Sequence, residues 1–131
     1  MGYDCKVALL NREEVDRWKN RCPDMSISEL YSEVLWSSAT DIWSSSQRYL
    51  SKEIDYLDTL GNDSVYEFSE KEWKDLILKL EEKIKGILFY DLTVKEDISI
   101  CQMEELTQAY SVFKYLSVDF EKTSIIFEHD W

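Results

Sequence analysis

Histidine, cysteine, proline and glycine are all scarce in this sequence. Its 131 residues include one histidine, three cysteines, one proline and three glycines. A single histidine does not provide for a histidine-rich metal site, and Cys5, Cys22 and Cys101 are too far apart for the CxxC pairs of zinc sites. Since the first residues form no apolar leader segment, we predict a cytoplasmic protein with reduced thiols, no metal and no cofactor.

Motifs of common enzyme classes are also missing. The sequence has no GxGxxG, GxxxxGK[ST], HExxH or GxSxG segment, each of which holds phosphate-binding, metal-binding or nucleophilic groups at a fixed spacing. Serine or cysteine hydrolase chemistry would depend on His129, which lies between Glu128 and Asp130. We expect His129 to be exposed and incidental, and we predict that the protein is not an enzyme. Catalysis by His129 or by a carboxylate pair is the alternative.

Long apolar runs are absent as well. Apolar stretches extend over only a few residues, whereas a membrane-spanning helix needs about 18–20, so we predict no membrane contact. The five Trp, eight Tyr and five Phe are typical of a folded core and not of a disordered acidic tail. The length fits one domain, residues 1–131, and the few glycines and prolines favour helices over a β-sandwich.

Capping residues and apolar spacing predict the order of the elements. Asn11, Ser26 and Ser69 are each followed three residues later by a glutamate, the arrangement that begins helices. A short helix follows Asn11 and ends before Pro23, and a last helix spans about 97–118. Strands are predicted at 3–10, 65–68 and 123–127. The sequence therefore predicts a helix-dominated α+β domain with about four helices and a small three-stranded sheet.

One of these helices is expected to be long. Apolar residues recur at helical spacing from about residue 26 to residue 60, which would make a helix of about 51 Å. A compact chain of this length is only about 36 Å across, so the helix either breaks, at Thr40 to Ser46, or protrudes and packs against a second copy. Trp36 and Trp43 are seven residues apart and are predicted to share one side of this helix, as core residues or as an aromatic platform for a partner.

The net charge of −12 is concentrated in two stretches. Residues 26–69 hold eight acids against Arg48 and Lys52, and residues 91–131 hold nine acids against three lysines. This predicts an acidic surface on the long helix and the C-terminal third, suited to a basic partner. The alternative is that the acids only keep the protein soluble. Nucleic acid itself is excluded as a ligand, because no basic patch is present to bind phosphates.

These observations predict a non-enzymatic acidic protein that inhibits a basic partner by occupying its nucleic-acid-binding surface. Small acidic inhibitors of bacterial defence nucleases, of the phage-encoded anti-CRISPR or anti-restriction kind, have this size and composition. An immunity protein against a basic nuclease toxin is one alternative, and an assembly protein that forms a homodimer through its long helix is another. The residues predicted to bind the partner are Glu29, Glu33, Asp41, Asp55, Asp58, Trp36 and Trp43.

Overall fold

A computed structural model shows an antiparallel sheet with helices on both of its faces. The structure describes residues 4–47, 49–54, 64–88 and 97–130. Within these ranges lie four α-helices and four strands, so the predicted α+β class is confirmed. The elements are β1 (Asp4–Asn11), α1 (Arg12–Arg21), α2 (Ile27–Leu30), β2 (Thr40–Ser45), β3 (Val65–Phe68), α3 (Glu70–Leu88), α4 (Asp97–Tyr115) and β4 (Thr123–Asp130).

The strand order in the sheet is β2-β1-β4-β3, and all neighbours are antiparallel. The first and last of these strands in the sequence, β1 and β4, pair along their whole length, from Asp4 opposite Asp130 to Asn11 opposite Thr123. The two central strands are therefore brought together from opposite ends of the described sequence. β2 and β3 form the two edges.

Alternation along the strands divides the core between the two sheet faces. Val7, Ile125 and Phe127 belong to one buried cluster, in which Trp73 of α3 and Phe113 of α4 pack on the sheet. The intervening residues face the other way. The second cluster contains Ala8, Leu10, Val15, Leu30, Tyr31, Leu35, Val65 and Ile126, so α1, α2 and the residues after α2 cover that face.

Local capping signals place the helix starts correctly. The Asn11 side chain accepts from the Glu14 backbone N–H at 3.1 Å, and Ser26 with Glu29 forms a complete capping box. Ser69 accepts from the backbone N–H of Glu72, whose carboxylate accepts in turn from the Ser69 N–H. These caps need only neighbouring residues, which is why the sequence alone predicts them.

A continuous helix over residues 26–60 does not form, and the structure confirms the alternative of a break at Thr40 to Ser46. α2 continues as a π-helix (Tyr31–Leu35) and a 3-10 turn (Trp36–Ser38), and the chain then becomes extended at Ala39. The segment Thr40–Ser45 forms the edge strand β2, so the break lies where hydroxyl and β-branched residues crowd. A short 3-10 turn, Ser51–Glu53, follows, and the predicted end of the helix near residue 60 lies outside the described residues.

β2 also explains why the sheet has four strands instead of three. Val7 pairs with Trp43 but Ala8 pairs with Asp41, so Ile42 is an extra residue in a β-bulge. The bulge lets Ile42 and Trp43, which are adjacent in sequence, both pack against the core cluster of α3 and α4. Consecutive apolar residues fit a helix pattern as well as a bulged strand, which is why the sequence pattern predicts a helix where β2 lies.

Candidate binding surface

The predicted partner-binding residues fall into three groups. Glu29, Glu33 and Trp36 are exposed on the helical segment that begins with α2. Asp41 is exposed at the start of β2, whereas Trp43 is only 9 % exposed and packs edge-on against Phe113 with ring centroids 6.0 Å apart. Asp55 and Asp58 lie outside the described residues. The prediction that both tryptophans share one side of a helix is therefore wrong, and Trp43 is a core residue.

The fold presents Trp36 to solvent for a simple reason. Leu30, Tyr31 and Leu35 are the apolar residues of the segment that reach the sheet, and all three are buried. Residues on the opposite side of the same helical turns must face outward. Trp36 follows Leu35 directly and is 61 % exposed. We call the exposed residues of this segment the Trp36 surface; they are Glu29, Ser32, Glu33, Trp36, Ser37 and Ser38.

The charge of the Trp36 surface is negative and uncompensated. Neither Glu29 nor Glu33 forms an ion pair with any residue in the described part of the chain. Glu14 of α1 extends this acidic region, since its carboxylate accepts a hydrogen bond from the Ser38 hydroxyl at 3.1 Å. Sequence reasoning missed Glu14 because only the packing of α1 brings it beside residue 38.

Other carboxylates of the two acidic stretches do not face outward as predicted. Glu53 is 9 % exposed and lies 3.6 Å from the Lys83 ammonium. Glu105 is buried, and its Oε2 atom accepts from the Leu50 backbone N–H at 3.2 Å. Glu67 is paired with two cations of α1. These three carboxylates do not contribute to the acidic surface that the sequence predicts on the two stretches, and the unpaired acidic surface is therefore smaller than the charge count implies.

A cleft of about 440 Å³ opens where the ends of β1, β2 and β4 meet. It is lined by Asp4, Cys5, Lys6, Ser44, Ser45, Ser46 and Glu128. Lys6 pairs with Ser44 on one side and with Glu128 on the other, so these three side chains share the sheet face that α2 covers. The sequence contains no motif that would reveal this cleft, because its residues come from three separate strands.

Lys6 is the electrostatic centre of the cleft. Its ammonium lies 3.3 Å from Asp41 and 3.4 Å from Glu128, and 5.7 Å from the centre of the Tyr31 ring. Burial alone would lower the pKa of Lys6, but contact with Tyr31 and the charges of Glu128 and Asp41 outweigh it and raise the pKa. On Tyr31 burial acts in the opposite direction and raises the pKa of the hydroxyl. Lys6 therefore stays charged beside two carboxylates, of which that of Glu128 lines the cleft.

His129 does not lie where the sequence suggested. It belongs to β4, is 4 % exposed, and stacks on Phe127 with ring centroids 6.0 Å apart. It pairs with Cys5, which is also buried. The expectation of an exposed, incidental histidine is wrong because β4 continues through residue 130 and places the ring on the core face of the sheet. In the residues that the structure describes, no three of the His, Cys, Asp and Glu side chains are grouped to hold a metal.

Comparison with known proteins finds no relative. No family model matches the sequence, and neither curated proteins nor solved structures give a significant match. Over the described residues, no helix is long and apolar enough to cross a membrane.

Proposed function

We propose that the protein is a non-enzymatic acidic binding protein that inhibits a basic partner by docking the Trp36 surface onto the partner's nucleic-acid-binding site. One observation carries the proposal: Trp36 is 61 % exposed and stands beside Glu29 and Glu33, which have no ion-pair partner within the described ranges. A large exposed aromatic side chain is typical of the centre of a protein interface. Uncompensated carboxylates around it favour a basic partner and speed its approach.

The partner class that suits this surface is a nuclease, since nucleases must carry basic grooves to hold phosphates. A nuclease of a bacterial defence system of the CRISPR or restriction type is the partner we propose. A nuclease toxin neutralised by an immunity protein is the alternative, and it needs the same surface. Self-association through a long helix loses its basis, because residues 27–45 form short helical turns and an edge strand.

The test uses bacteria that carry a defined CRISPR or restriction system and are challenged with a sensitive phage. Cells expressing the wild-type chain should allow plaques, whereas cells expressing Trp36→Ala or the double variant Glu29→Lys/Glu33→Lys should resist the phage like cells without the protein. Loss of one interface-centre tryptophan typically weakens binding by at least about 2 kcal/mol, or about thirtyfold. A parallel assay tests the immunity alternative with cells that produce a nuclease toxin together with the chain. Survival of these cells would support that alternative.

Matched controls separate the surface from net charge. Because Glu29→Lys also removes the capping box of α2, urea unfolding must first show that the surface variants remain folded. Asp75→Lys/Glu104→Lys makes the same change in net charge on α3 and α4, which cover the other sheet face, and Tyr115→Ala removes an aromatic that is 85 % exposed there. Both controls should retain full inhibition. If they fail as completely as the Trp36 surface variants, or if the wild-type chain neither allows plaques in the phage assay nor keeps toxin-producing cells alive, the proposal is wrong.

A further inference from the structure

The two edges of the sheet differ in what their outer backbone groups contact. At the β3 edge, the Ser28 hydroxyl donates to the Val65 carbonyl at 3.2 Å and accepts from the Val65 backbone N–H at 3.0 Å. A side chain of α2 thus occupies the position that a further strand would take beside Val65. At the β2 edge, no described residue forms a hydrogen bond with the outer backbone groups of the strand.

The pairing of β4 shows in which direction the backbone groups of β1 point. The His129 N–H donates to the Ser64 carbonyl at 2.9 Å, so the backbone groups of His129 are directed towards β3. Because these groups alternate between the two sides of a strand, those of Glu128 are directed towards β1. Lys6 lies opposite Glu128, and its backbone groups are therefore directed towards β4 and not towards β2.

This direction leaves two residues of β2 with open backbone groups. Ser44 lies opposite Lys6, and Asp41 lies opposite Ala8, which is two residues further along β1. Because the backbone groups of Lys6 and Ala8 are directed towards β4, the N–H and C=O groups opposite them in β2 are directed away from the sheet. Asp41 and Ser44 are exposed, and neither has a backbone hydrogen bond to any described residue. β2 therefore offers two donors and two acceptors at its outer edge.

We infer that an extended, basic segment of the partner adds to the sheet as a further strand beside β2. Strand addition of this kind takes its affinity from backbone hydrogen bonds at an open edge. The inference rests on the proposed function, because the segment belongs to the partner that docks on the Trp36 surface. The chain runs from Trp36 through one turn into β2 at Thr40, so one partner can contact both. The β-bulge at Ile42 lies between the two open residues and limits the added strand to a short segment.

Charge favours a basic segment over a second copy of this chain. β2 contains one acid and no base, and the Asp41 side chain is still 57 % exposed beside the Lys6 ammonium. The neighbouring Trp36 surface adds the carboxylates of Glu29 and Glu33, which have no ion pair among the described residues. A second copy would bring another net charge of −12 to this edge, and repulsion between like charges opposes its approach.

Amide exchange tests the open edge in the free, full-length chain. The Trp43 amide lies opposite Val7, whose backbone groups are directed towards β2, so it is protected by the pairing with β1. The amides of Asp41 and Ser44 should exchange with deuterium at least about tenfold faster than the Trp43 amide. Equally slow exchange at the three positions would mean that the edge is already occupied and would overturn the inference.

A synthetic peptide can stand in for the partner segment. The probe is a six-residue peptide of alternating lysine and threonine, blocked at both ends and as long as β2. It should shift the Asp41 and Ser44 amides of the ¹⁵N-labelled chain saturably, with a Kd of about 0.1–10 mM. The same peptide with every backbone nitrogen methylated keeps its charge but loses its donors, and it should bind at least about fivefold more weakly. Equal binding of the two peptides, or no binding of either, would overturn the inference.

Variants of the chain locate the peptide on β2. Ser44→Pro removes an outward N–H and no bond to β1, and it should weaken peptide binding at least about threefold. Asp41→Asn should weaken binding about twofold, whereas the matched control Asp75→Asn on α3 should not change it. Unchanged binding in a folded Ser44→Pro variant would overturn the inference. If this variant does not fold, the comparison of the two peptides on the wild-type chain still decides.

Other occupants and failure of the proposed function give different results. If the free chain sediments as a dimer that Ser44→Pro converts to a monomer, a second copy occupies the edge and the inference is wrong. If the Trp36 surface inhibits the defence nuclease but the two peptides bind equally, only strand addition is lost. If the unmethylated peptide alone binds β2 but neither the phage assay nor the toxin assay responds to the wild-type chain, only the proposed function is lost.

Discussion

At the scale of single residues, Glu72 combines two stabilising roles. Its carboxylate accepts from the Ser69 backbone N–H at 2.9 Å and from the Tyr66 hydroxyl, so it caps α3 and fixes an edge-strand side chain. Burial opposes ionisation of Glu72, but these hydrogen bonds outweigh it and lower its pKa. On Tyr66, burial and the hydrogen bond to Glu72 both act to raise the pKa. The ionised carboxylate is therefore favoured by the folded state.

This shift predicts how the stability of a Glu72→Gln variant depends on pH. Because the pKa is lower in the folded than in the unfolded protein, the carboxylate stabilises the fold above the unfolded value of about 4.3 and loses this effect as the pH falls through the folded value. The variant should be less stable by about 1 kcal/mol at pH 7. The difference should shrink below about pH 4, as measured by urea unfolding. A difference that stays constant between pH 7 and pH 3 would contradict this account.

At the scale of elements, α1 is held on the sheet by Glu67 of β3. The Glu67 carboxylate is 2.5 Å from the Lys19 ammonium, 3.6 Å from the Arg12 guanidinium, and accepts from the Ser124 hydroxyl of β4. Arg12 also donates to the Thr123 carbonyl at 3.3 Å. One side chain therefore links a helix, an edge strand and a central strand.

We predict that Glu67→Ala destabilises the protein by about 2–4 kcal/mol, because it leaves two partly buried cations without their carboxylate. Amide hydrogen exchange should accelerate first in α1. The control Glu70→Ala removes an acid from an exposed pair with Lys74 and should cost less than about 1 kcal/mol. Equal losses of unfolding free energy in the two variants would show that the contacts of Glu67 stabilise the fold no more than an exposed ion pair does.

The elements also show what the sequence could predict. The starts of α1, α2 and α3 depend on residues three positions apart, and β1, β3 and β4 have strand-like runs between clear breaks, so local reasoning found them. β2 depends on pairing with β1, more than 30 residues earlier in the chain. Its adjacent apolar residues Ile42 and Trp43 also fit the apolar spacing of a helix. The cleft at Lys6 depends on three strands at once. For this reason the exposure of Glu29, Glu33, Trp36 and Asp41 could be predicted from the sequence, whereas the pairing of Lys6 with Glu128 could not.

At the scale of the whole molecule, the net charge of −12 opposes compaction. The ion pairs at Lys6, Glu67 and Glu53 engage some of the few Lys and Arg side chains. The acids that have no ion pair repel one another. Salt screens such repulsion between exposed charges over about 10 Å at 0.1 M. The fold should therefore become more stable as salt is added, in contrast to the association with a basic partner that we propose.

We predict that the free energy of unfolding rises by on the order of 1 kcal/mol between 20 mM and 500 mM NaCl, measured by urea unfolding. Binding to the proposed basic partner should weaken over the same range. A variant with Glu13, Asp16, Asp75 and Glu104 changed to lysine has a net charge of about −4 and should respond less to salt. Stability that falls with salt in both proteins would mean that ion pairs dominate over repulsion.

The pairing of β1 with β4 at the middle of the sheet governs when the protein can fold during synthesis. While the ribosome is still making residues 12–122, β1 lacks the neighbour that will cover one of its sides, and the apolar residues of the early helices have no completed surface to pack on. Such widely separated contacts make folding slow and leave an intermediate exposed to chaperones and proteases. A ribosome stalled before residue 123 should therefore carry a protease-sensitive chain, however much of its helix has already formed.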